Sequence, residues 1–112
     1  MPTGDEHADE ALRTALERAR ELLARGLDFE AHEELEPLWL VASGAARRWL
    51  QGVIQFAASG HHLRRGRAAA ARSLAGRAEA RLVDAPEEWL GFPLGEVARE
   101  AGRRARQENP CG

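Results

Sequence analysis

The sequence contains no lysine, no tyrosine, one cysteine and few β-branched residues. The single Cys111, in a Pro-Cys-Gly tail, excludes an intrachain disulfide. Scarcity of Val, Ile, Thr and Tyr removes the usual strand formers and argues against a sheet. No apolar run approaches the roughly 20 residues that cross a bilayer. No charged-then-apolar leader opens the chain either, so a cytoplasmic protein that is not a membrane protein is expected. Absence of lysine leaves arginine as all 16 basic residues, a composition suited to a GC-rich genome or a heat-adapted source.

What remains is rich in Leu and Ala, and 44% of the 112 residues are hydrophobic. That length and balance predict one all-α domain with a single core. The net charge of −2 drives no global attraction to nucleic acid or to an anionic surface. Its distribution is uneven. Residues 1–36 carry 4 Arg against 11 Asp and Glu, whereas residues 37–82 carry 8 Arg against Glu79 alone. Acidic and basic helices that pack together, or that pair in self-association, account for this split. Arg64, Arg65, Arg67, Arg72, Arg77 and Arg81 would give a nucleic-acid surface only with aromatic rings for stacking, and aromatics are 5% of the chain. A solvated arginine face is the better reading.

Apolar spacing predicts five helices. A flexible lead-in of residues 1–8 precedes a helical domain over 9–106, and residues 107–112 form a disordered tail. The first helix starts near Asp9, carries Leu12, Leu16, Ala19 and Leu23 on one face, and stops at Gly26. Asp28 is placed to cap a second helix from Phe29 to Val41. The third runs from Ala45 to Arg65, the fourth from Arg67 to Val83, and a short fifth from Leu94 to Arg106. Between the last two, Asp84 to Gly91 reads as a loop with Trp89 and Leu90 turned inward. Arg25-Gly26 followed by Ala31 is echoed 40 residues on by Arg65-Gly66 followed by Ala71. This weak repeat predicts two stacked helical hairpins closed by the short C-terminal helix.

The second helix holds the chemistry. In EAHEELEPLW, residues 30–39, the residues Ala31, Leu35, Leu38 and Trp39 share the core face of a helical wheel. His32 and Glu36 lie one turn apart on its edge, with Phe29 and Glu33 nearby, while Glu30, Glu34 and Pro37 point to solvent. Pro37 removes one ladder hydrogen bond, that of the Glu33 carbonyl, and predicts a bend. On the third helix Arg48, Gln51, Gln55, Ala58 and His62 form one stripe, with His61 beside the apolar side. Gly52 and Gly60 are poor helix formers there and predict close approach of a neighbour. If the two helices cross, His32, Glu33, Glu36, Arg48, Gln51, Gln55 and His62 converge.

EAHEELEPLW, then RRWLQGVIQFAASGHHLRRG and an Ala-rich helix, resembles domain-of-unknown-function family 309, whose members are short prokaryotic proteins. The pattern EAHE-x-LE-x-LW followed by R-x-x-LQG-x-IQ and a later His and Gly is met at Glu30 to Glu33, Leu35, Glu36, Leu38 and Trp39. It is met again at Arg48, Leu50 to Gly52, Ile54, Gln55, His62 and Gly66, so the resemblance covers about residues 10–83. It implies a compact all-α fold and no assigned activity. Arg67 stands where such proteins often have Asn after the turn glycine.

Three readings of the cluster stay open. It is a buried polar network that fixes helix register, in which Glu36 pairs with His32 and the amides and Arg48 satisfy the rest. It is a pocket for a small polar or anionic ligand, with Arg48 as counter-charge. Or it is a divalent metal site with His32, Glu36 and His62 as ligands and Glu33 as catalytic base of a small hydrolase. The string HEELE lacks the second histidine of the H-E-x-x-H zinc proteases, which weakens the metal reading. A binding or interaction protein is the leading expectation, and a metal-dependent enzyme the alternative.

Overall fold

The computed structural model describes residues 4–107, with side chains from residue 9 onward. Cys111 and most of the expected tail therefore lie outside the described residues. Five helices follow one another: α1 Gly4–Ala24, α2 Asp28–Val41, α3 Gly44–Arg64, α4 Ala68–Arg81 and α5 Leu94–Ala105. The all-α fold expected from composition is the fold found, and four of the helices begin within one residue of their expected starts. α1 is longer. It begins five residues before Asp9, because residues 4–8 hold no apolar spacing to mark them as helical yet continue the same backbone turns.

The repeat is visible in the backbone. At the end of α1, Gly26 has φ +76°, and the amides of Gly26 and Leu27 donate to the carbonyls of Leu23 and Leu22 at 3.0 and 2.8 Å. At the end of α3, Gly66 has φ +77°, and the amides of Gly66 and Arg67 donate to Leu63 and His62 at 3.1 and 2.9 Å. Both are Schellman turns, in which a left-handed residue lets two orphan helix carbonyls find partners. Glycine occupies that position because a Cβ disfavours positive φ. Five residues later Ala31 and Ala71 are each fully buried, so each turn feeds a helix into the core at the same phase.

Packing follows chain order: α1 on α2, α2 on α3, α3 on α4, α4 on α5, with a smaller contact of α5 on α3. Leu16, Leu35, Leu50, Val53, Phe92 and Leu94 are the largest fully buried apolar side chains of the common core. Gly52 brings α3 and α4 together as expected, since a Cβ there would stand 2.7 Å from the Leu82 side chain. α2 continues through Pro37 to Val41 as one helix; Pro37 is exposed, so the missing ladder bond falls on the solvent side.

The segment between α4 and α5 is pinned at several points. Trp89 and Phe92 exchange backbone hydrogen bonds of 2.9 and 2.8 Å around Leu90 and Gly91, both with positive φ. Two consecutive left-handed residues make the tight turn that reverses the chain. Phe92 is sealed in the core, while Trp89 meets Trp49 edge to face at 5.3 Å between ring centroids. Asp84 accepts from the Trp49 indole at 3.3 Å and from Arg48 at 2.5 Å. Those bonds hold its carboxyl below its ordinary pKa, the Trp49 bond first and then Arg48.

Candidate functional site

The α2–α3 seam brings part of the expected cluster together. His32 Nε2 lies 3.1 Å from Glu36 Oε2 one helical turn away, an ion pair whenever the ring is protonated. Phe29 stacks near His32 at 6.0 Å between centroids and touches His61 of α3 at 5.6 Å. Further along the seam Glu36 and Trp39 from α2 and Gln51, Ile54 and Gln55 from α3 line a half-open cavity of about 150 Å³. Arg47 packs on the Trp39 ring, its guanidinium 4.4 Å from the ring centroid.

Four side-chain atoms on α2 and α3 are shut off from solvent and have no hydrogen-bond partner among the described residues: His32 Nδ1, Trp39 Nε1, Gln55 Oε1 and His62 Nδ1. An indole N–H can only donate, and an amide oxygen can only accept. Trp39 and Gln55, which carry one of each, line the same cavity.

Other members of the cluster go elsewhere. Arg48 turns away from α2 to Asp84, so it serves the segment after α4. Glu33 is exposed and belongs to no hydrogen bond or ion pair among the described residues. Glu34, expected on the open surface, is half-buried and lies 3.5 Å from Arg18 of α1. His62 does not complete a ligand set with His32 and Glu36: no group of three or more His, Cys, Asp or Glu is placed to hold a metal among the described residues. The reason is helical phase. His61 and His62 are about 100° apart on α3, and His61 is the ring that meets Phe29 of α2. His62 lies edge-on to His61, its ring centroid 5.9 Å away.

A second polar centre, missed in the sequence, lies at the other side of the α2 start. Asp28 is the first residue of α2, Leu27 standing at the cap position, and its carboxylate is 9% exposed. It accepts from Arg64 Nε of α3 at 2.7 Å and rests against the bare Cα of Gly60, where a Cβ would stand 2.8 Å from it. The expected capping role is thus replaced by a bridge from α2 to α3. Acidic residues near a helix start are the ordinary sign of a cap, and the only signal for a longer reach was Gly60 inside a helix.

With this geometry in view, the comparisons are informative. The family model described as Domain of unknown function (DUF309) matches residues 16–74, which hold α2, α3 and both Schellman turns. The chain belongs to DUF309. A DUF309 chain of this length is similar to the crystal structure of the conserved hypothetical protein TTHA0068 from Thermus thermophilus. The two are 41% identical, with a TM-score of 0.72, over 81% of this chain and 95% of that one. No curated protein matches the sequence. The matched segment spans every residue of the α2–α3 seam, so the cavity lies within the part that defines this DUF309 member.

Proposed function

We propose that this protein is a binding protein whose ligand seat is the α2–α3 seam. The observation that carries the reading is the pair Trp39 and Gln55: both line one cavity, and each holds a buried polar atom without a partner among the described residues, the indole Nε1 a donor and the amide Oε1 an acceptor. Each unmet group costs about 1–3 kcal/mol, and one small molecule offering an acceptor and a donor relieves both. The seat of about 150 Å³ suits a compact group of a few heavy atoms, such as a carboxamide. Ile54 and the indole face supply apolar contact, and Glu36 and Gln51 add polar atoms around the cavity. The His32–Glu36 pair stands beside this seat, with Glu36 on its wall.

Acetamide is a suitable probe. In the ¹⁵N-labelled protein, the Trp39 indole resonance should move saturably on titration with acetamide. The Trp49 resonance, whose indole N–H is held by Asp84, should stay in place. Gln55→Leu should abolish the shift while leaving the fold intact. A Trp39 resonance indifferent to acetamide, or a shift unchanged in Gln55→Leu, would identify the seam as a purely structural network.

A further inference from the structure

A different cavity, sharing no residue with that seat, lies where the α1–α2 turn meets the ends of α3 and α5. It is a half-open cleft of about 280 Å³, and its lining includes Asp28, Phe56, Gly60, Leu63, Arg64 and Arg104. Two guanidinium groups and one carboxylate therefore face one space. Asp28 is already matched to Arg64. Arg104 is not matched: among the described residues no carboxylate lies within ion-pair distance of it.

Arg104 is nonetheless fixed. Its guanidinium carbon sits 4.6 Å from the Phe56 ring centroid, and Nη1 donates to Ser59 Oγ at 3.3 Å. Ser59 is fully buried, and its hydroxyl donates to the Ala71 carbonyl at 2.6 Å, which orients the lone pairs that Arg104 uses. Half-burial strips water from the guanidinium and lowers its pKa, with Glu100 and Asp28 partly offsetting the loss. Arginine stays protonated even so. A guanidinium has five N–H donors, and the structure gives a single hydrogen bond to this one.

A partly desolvated cation with most of its donors idle, held by a ring and a hydroxyl, is prepared for an anion. We propose that this cavity binds a small oxyanion, a phosphate or carboxylate group, with Arg104 as the principal contact and Arg64 as the second. The planar fork of Arg104 offers paired N–H groups to two oxygens at once. Arg64 bonds Asp28 through Nε, which leaves its terminal nitrogens for the ligand. The Asp28 carboxylate cancels one of the two positive charges, so the cavity favours a single oxyanion over a polyanion. Leu63 and Phe56 add apolar surface for the carbon skeleton of the molecule that carries it.

The test is calorimetric titration of the full chain at low ionic strength with inorganic phosphate and, separately, with succinate. Saturable binding is expected, and whichever probe binds more tightly distinguishes a phosphate-bearing from a carboxylate-bearing ligand. Arg104→Gln should weaken that binding at least tenfold, with partial recovery in Arg104→Lys. Arg103→Gln, which removes an exposed arginine paired with Glu100, should change it less than twofold. Thermal melts of each variant check that the fold survives. No saturable heat with either probe, or equal losses in Arg103→Gln and Arg104→Gln, overturns the proposal.

Discussion

At the scale of single residues, Asp28 and Gly60 make one joint: the carboxylate occupies space that any larger residue at position 60 would claim. Gly60→Ala should destabilise the fold by about 1–3 kcal/mol through overpacking. Asp28→Ala should cost about 1–2 kcal/mol, since its buried carboxylate bonds an arginine that remains largely in water. The double substitution should cost clearly less than the sum, because removing the carboxylate makes room for the new methyl. Urea denaturation of the four proteins measures this directly, and strict additivity would break the joint. Neither residue's role is readable from local pattern. Asp28 sits where a cap belongs, and its partner Arg64 is 36 residues away. His61 and His62 show the same limit: one residue of helical phase decides which ring meets α2, and the phase depends on how the two helices cross.

Among the elements, the segment between α4 and α5 is tied by two carboxylates in its first half. Asp84 holds to Trp49 and Arg48, and Glu87 to Arg99 at 2.7 Å. Glu87 also has its carboxyl below the ordinary pKa, first through the Arg99 hydrogen bond and then through its charge. A carboxylate whose folded pKa is depressed adds stability above its unfolded pKa and loses it as pH falls through the folded value. The stability gap between the native chain and an Asp84→Asn, Glu87→Gln variant should therefore be constant from pH 7 to about 5. It should close progressively below about pH 4, where free carboxyls take up protons. Denaturant titrations across that range check it, and a gap that widens in acid would reverse the assignment. The helices around this segment were legible because Leu94, Val97 and Ala101 keep strict helical spacing and are all buried. Residues 4–8 of α1 were not, because a short, mostly polar sequence carries no period. Gly52 announced a close approach without naming Leu82 as the neighbour.

Across the whole molecule, each helix packs mainly on the next in sequence, and the second hairpin repeats the turn of the first. Stability in such a chain is carried between neighbours more than across the fold. Val97→Ala in α5 should lower hydrogen-exchange protection in α4 and α5 well before α1 and α2 are affected. Uniform loss of protection would mean that the five helices open as one unit. The 40-residue echo was visible from Arg-Gly-x₄-Ala alone, since glycine at a left-handed turn and alanine at a tight crossing are both forced by sterics. Its full extent required coordinates, because the side chains between those anchors differ.

The matching Schellman turns make the chain modular in length. Leu27 and Arg67 leave their glycines with nearly the same backbone angles, φ −91° and ψ 66° against φ −98° and ψ 70°. A gene in which the stretch from Leu27 through Gly66 is written twice in tandem would meet a familiar corner at the new junction, and would extend the stack by one more hairpin's worth of helix without inventing a bend.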